Sequence, residues 1–142
     1  MASLKTFVVE PVGPEAAGLS RMLREIGHDV CGVAQDISQL AALFERHTPD
    51  LIALDLQLDH GNEGLGLATV LQATGPIPIV FVAAAADGPD REGIRSIEGT
   101  ALLIRPFAAP ELRTAIALAF ERALAAREGG AAGLSGDAGR RR

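Results

Sequence analysis

Short apolar runs alternate with helical stripes along most of this chain, and the alternation sets an architecture before any single residue is weighed. Thr6-Phe7-Val8-Val9 is a β-type run closed by Glu10-Pro11. Pro14 opens a helix whose apolar positions, Leu19, Met22, Leu23 and Ile26, keep helical spacing up to Gly27. A second strand runs from Val30 to Val33. Asp36 and Gln39 then have the spacing of a capping box ahead of Ile37, Leu40, Ala41 and Phe44, which share one helical face. Pro49 marks the next boundary, and Leu51-Ile52-Ala53-Leu54 reads as a strand buried on both faces that stops abruptly at Asp55.

A loop with Asp59, His60, Gly61 and Asn62 follows, then a glycine-interrupted helix from Leu65 to Leu71 that Gly75-Pro76 ends. The fourth strand is Ile79-Val80-Phe81-Val82. Asp87-Gly88-Pro89-Asp90 is a turn into a weaker helical piece carrying Ile94 and Ile97, and Ala101-Leu102-Leu103-Ile104 is a fifth strand closed by Arg105-Pro106. Pro110 starts the last helix, with Leu112, Ile116, Ala119, Phe120 and Ala123 on one face. Strands alternating with helices over short connections predict right-handed crossovers. The expected fold class is therefore α/β, a doubly wound five-stranded parallel sheet in the order 2-1-3-4-5. That order puts strands one and three side by side, so Glu10 and Asp55 emerge together while Ala83 and Arg105, at the ends of strands four and five, complete the rim.

Composition bounds the rest. The chain has 142 residues, 48% hydrophobic and 22% charged, enough for one domain with a real core, expected over residues 1–127. From Glu128 onward nearly every residue is Gly, Ala, Ser or charged, so 128–142 is expected to be a Gly/Ala-rich flexible tail. A net charge of −5 without an internal basic cluster argues against nucleic acid as a partner, Arg140-Arg141-Arg142 being the exception. The lone Cys31 lies in an apolar segment and suits a reducing compartment. No window reaches the ~18 apolar residues of a membrane span and the start has no signal-type apolar region, so no membrane partner and a cytoplasmic location are expected.

Few residues stand out for chemistry. Ligands of open α/β sheets bind outside the carboxyl ends of the strands, which makes Asp55 the first candidate, the alternative being that it only caps the following turn. His60 with Asp59 reads as an exposed loop pair rather than a metal site, and His28 and His47, at helix ends, read as surface residues. The glycines from Gly61 to Gly66 lack the spacing of a phosphate-cradling loop, so no residue is assigned to cofactor binding. With no nucleophile elbow and no Ser–His pairing, the chain is not expected to be an enzyme. It has no Trp or Tyr, and its Phe residues fit core positions, which disfavours a flavin binder of the same fold.

Phe7-Val8-Val9-Glu10, Pro49-Asp50-Leu51 through Asp55, Ile77-Pro78-Ile79-Val80-Phe81-Val82 and Arg105-Pro106-Phe107, in this order and at these separations, resemble the receiver domain of two-component response regulators over residues 5 to 125. The resemblance implies a flavodoxin-like (βα)5 fold. It also implies a central aspartate that accepts a phosphoryl group, a divalent cation held by two acidic residues after the first strand, a Thr or Ser ending strand four, and a Lys ending strand five before a cis proline. On it, Asp55 is the phosphoacceptor. Arg105 takes the lysine position, and Ala83 takes the Thr/Ser position with the hydroxyl lost. The metal ligands would be Glu10, Asp55 and the backbone carbonyl of Gln57, and because Pro11 supplies no side-chain oxygen, Mg²⁺ is expected to be held weakly or not at all. Arg105 either grips a bound phosphoryl or pairs with Asp55 and Glu10 at rest, and the resting ion pair is favoured because two carboxylates need a counter-charge. Leu102 replaces an often aromatic, mobile residue.

The functional expectation is a single-domain receiver in a two-component phosphorelay. It would take phosphoryl at Asp55 from a sensor histidine kinase or phosphotransfer protein and signal through contacts with a downstream protein. The alternative is a phosphorylation-independent pseudo-receiver that serves as a protein-binding module. Homodimerisation through the last strand and its flanking helices, with Leu102, Ile94 and Ile97 as contact residues, is a further expectation of the resemblance.

Overall fold

The computed structural model describes residues 3–56, 66–69, 71, 75, 77–84 and 97–135, with side chains as far as residue 128. Its strands are β1 (Lys5–Val9), β2 (Asp29–Ala34), β3 (Leu51–Asp55), β4 (Ile79–Ala84) and β5 (Thr100–Arg105). They form one sheet in the order β2-β1-β3-β4-β5, and every pairing is parallel. This is the order expected from the connections.

Successive residues of a strand point to opposite faces, and here both faces are covered. Phe7, Val9, Ile52, Leu54, Ile79, Phe81 and Ala83 face Leu40 of helix α2 (Ile37–Arg46), Ala68 and Ile97. Val8, Ala53, Val80, Val82, Ala101 and Leu103 lie in the opposite layer with Ala16, Leu19 and Leu23 of α1 (Gly13–Glu25) and with Leu112, Ala115, Ile116 and Ala119 of the last helix (Ala109–Ser135). Burial on both sides is why the inner strands are apolar at nearly every position instead of alternating. The edge strand β2 is looser: Val30, Cys31 and Gly32 are half-buried and Val33 is exposed.

Helix starts follow the local chemistry. Pro14 sits in the first turn of α1, where its missing N–H costs nothing. The Gln39 N–H donates to Asp36 Oδ1 at 2.8 Å, but Gln39 Oε1 accepts from Gln35 N at 2.7 Å instead of closing the box on Asp36 itself. Of the expected helix between β3 and β4, residues 66–69 are helical. The expected helical piece around Ile94 lies outside the described residues, and only its end, the buried Ile97, is seen. The last helix runs through residue 127 and stays helical to Ser135, so the change in composition at Glu128 falls inside it. Ala131 and Ala132 favour that extension, whereas Gly129, Gly130 and Gly133 oppose it.

His28 departs from its expected place at the surface. Gly27 adopts φ 102°, a left-handed conformation open to glycine, and turns the chain back beneath the start of β1. His28 is thereby buried, and its Nδ1 accepts the Leu4 N–H at 3.2 Å. His47 is exposed, as expected, with its ring edge-on to Phe7.

Candidate functional site

Three strand ends meet where the sheet order predicts a crevice. The ladder continues past each carboxylate, with Glu10 N bonded to Ala34 O and Leu56 N to Val82 O, both at 2.9 Å. Glu10 and Asp55 are therefore held by sheet backbone rather than by free loops. Both are almost fully buried, at 1% and 3% exposure. Arg105 ends β5, ahead of a cis bond to Pro106.

Arg105 reaches across β4 to join them. Its Nη1 donates to Asp55 Oδ2 at 2.9 Å and its Nη2 to Glu10 Oε1 at 2.5 Å, so the two tips of one fork hold two different carboxylates. Glu15, in the first turn of α1, adds a third: its Oε1 lies 3.3 Å from Arg105 Nη2. Sequence reasoning did not single out Glu15. An acid in the first turn of a helix is already accounted for by the helix dipole, and only its nearness to the β1 end marked it as more.

The electrostatics follow from burial and crowding. Desolvation, then the hydrogen bond and charge of the neighbouring Asp55, raise the Glu10 carboxyl to about 7, against the opposing pull of the Val12 N–H and Arg105. Val12 N donates to Glu10 Oε2 at 3.0 Å. Burial works against the charge of Arg105, but its bonds and attraction to Asp55 and Glu10 outweigh that, and its pKa is raised.

The remaining candidates are placed as follows. Ala83 is fully buried in the apolar layer with Leu54 and Phe81 and offers nothing polar to the crevice. Leu102 is half-buried against the same layer. Gln57, Asp59 and His60 lie outside the described residues. One oxygen from each of Glu10, Glu15 and Asp55 falls within 4.8 Å of the others, a span suited to a cation. Arg105 already bridges all three residues. A divalent ion needs oxygens at ~2.0–2.1 Å in near-octahedral array, and it would have to expel the guanidinium to obtain them. As arranged, these side chains do not fit Mg²⁺ and Arg105 together.

Comparison with known proteins agrees with this fold. The family model described as "Response regulator receiver domain" matches residues 7–117. The transcriptional regulatory protein PdtaR of Mycobacterium tuberculosis is 34% identical over 119 residues, covering 82% of this chain and 58% of the relative. The chain thus spans little more than half the length of that curated relative. Among solved structures, the receiver domain of Erythrobacter litoralis PhyR is similar with a TM-score of 0.66 at 24% identity, over 84% of this chain and 92% of that one. The N-terminal domain of a response regulator/sensory box/GGDEF protein from Carboxydothermus hydrogenoformans gives a TM-score of 0.69 at 24% identity, over 82% and 94%. At that identity the two structures speak for the fold. With the family model spanning most of the sequence, the chain belongs to the response regulator receiver domain family.

Proposed function

We propose that this receiver takes a phosphoryl group on Asp55 and signals through protein contacts, as a module of a two-component phosphorelay. The observation that carries the reading is the position of Asp55: last residue of the central strand, between the ends of β1 and β4, and paired with the Arg105 guanidinium. In the step itself an Asp55 carboxylate oxygen forms a bond to phosphorus as the bond from phosphorus to the donor's leaving atom breaks. The leaving atom is a nitrogen when the donor is the phosphohistidine of a kinase or phosphotransfer protein, and it departs with the electron pair. Arg105 supports the added charge on the phosphoryl oxygens, moving from carboxylate to phosphate pairing.

A second reading has its own support. Ala83 provides no hydroxyl to pull a phosphoryl-dependent loop movement, and Arg105 ties up the acceptor oxygen at rest. Both fit a protein-binding module whose surfaces work without phosphorylation. Intact-mass measurement after incubation with a small phosphodonor separates the two. An adduct of one phosphoryl group that disappears in Asp55→Asn supports the acceptor reading. Absence of an adduct with any donor, a cognate kinase included, leaves the binding module.

A further inference from the structure

Clustered carboxylates need a cation, and in this chain the sheet delivers one from its own strand. Arg105 lies over Glu10 and Asp55 with one nitrogen on each, and Glu15 closes the third side. The guanidinium occupies the space between the oxygens that a divalent ion would have to draw together. A guanidinium keeps its charge at every working pH and does not need dehydrating as strongly as Mg²⁺, so it is a competitor that is always present. Two losses match this gain. Pro11 removes the second acid that would strengthen a metal site, and Ala83 removes the hydroxyl that would share the phosphoryl oxygens.

We propose that Arg105 is the resident cation of this pocket: it takes the place of a divalent ion, with Glu15 as the outer carboxylate that keeps it over the site, and phosphoryl chemistry at Asp55 proceeds without metal. The chemical half rests on Asp55 being the acceptor, while the exclusion of metal does not. Because Arg105 is one-quarter exposed and Glu15 is half-exposed, the side chain has room to shift toward an arriving phosphoryl group without leaving the crevice.

Mn²⁺ is the probe for the exclusion. Titrated into isotope-labelled wild-type protein, it is expected to leave the amide signals of Val9, Leu56 and Ala84 sharp at concentrations that broaden them in Arg105→Ala, with at least a tenfold difference in apparent affinity, about one power of ten in binding constant. Equal broadening in both proteins overturns the proposal, as does its absence from both, since Arg105 would then not be what keeps metal out. Arg105→Gln, neutral and of similar reach, takes the place of the alanine variant if that one does not fold. Tight Mn²⁺ binding by the wild type overturns the proposal whatever the variants do.

The chemical half is read with acetyl phosphate, where the new bond from an Asp55 oxygen to phosphorus replaces the one from phosphorus to acetate and acetate leaves. Labelling at equal rates in Mg²⁺ and in EDTA is expected. Labelling that requires Mg²⁺ overturns metal independence. No labelling in either condition counts against Asp55 as acceptor, and the Mn²⁺ titration still decides whether Arg105 is the resident cation.

Discussion

Arg105 is where the chemistry and the stability of the crevice coincide. Truncating it to alanine leaves Glu10 and Asp55, both nearly inaccessible to water, without the guanidinium that bridges them. Breaking a buried pair by removing one partner costs about 3–5 kcal/mol, and the partial exposure of Arg105 lowers the expectation here to about 2–3 kcal/mol. Urea denaturation of Arg105→Ala should show that loss, with the m-value unchanged. Arg105→Lys should recover only part of it, because one ammonium cannot present two planar donors to two carboxylates. A loss below about 0.5 kcal/mol in Arg105→Ala would mean that the ion pairs are not maintained in solution. The positions of Glu10, Asp55 and Arg105 were legible in the sequence because each directly follows or ends an apolar run whose length fixes where the strand stops. The resting pairing of Arg105 with Glu10 and Asp55 followed from their need for a counter-charge rather than from spacing, and the third carboxylate was hidden in an ordinary helix start.

The last helix shows how far an element can be read from its stripe. Leu112, Ile116, Ala119 and Ala123, all assigned to one face from spacing, are buried, and Phe120 packs half-buried beside them. Replacing Leu112, which has no exposed surface, by alanine should cost about 2–5 kcal/mol through lost burial and the cavity left against the sheet. Leu124 is 53% exposed, and Leu124→Ala should stay within about 0.5 kcal/mol of wild type. Thermal or urea midpoints of the two variants test the assignment of faces, and equal effects would contradict it. The end of the same helix was less legible. Composition marks the loss of core-forming residues at Glu128, and Gly129, Gly130 and Gly133 disfavour a helix, yet the helix continues to Ser135, an extension that intrinsic propensity does not explain.

At the scale of the whole molecule, strand order was legible because short alternating connections allow few topologies, whereas burial depended on turns that bring distant ends together. His28 is the case in point, and it makes stability depend on pH in opposition to Glu10. Glu10 is raised from 4.5 to about 7 on folding, so the native state holds the extra proton between those values. Its contribution is full below pH 4.5 and is lost as pH rises through 7, on the order of 3 kcal/mol across that window. His28 is shifted down from 6.5, chiefly by burial, and its Nδ1 is already committed as an acceptor to Leu4. Its contribution is present above pH 6.5 and is lost as pH falls through the lowered folded value. In the wild type the two slopes therefore oppose each other below pH 6.5, and from there stability should fall until Glu10 has fully ionised. Glu10→Gln removes one slope, so its stability should rise with pH through the window and then level off. His28→Asn keeps an acceptor near Nδ1 without a titrating ring, so its stability should fall as pH rises through 7. Urea midpoints of the three proteins measured from pH 4.5 to 8.5 decide the matter, and a Glu10→Gln profile parallel to wild type would show that the proton on Glu10 is not part of the folded state.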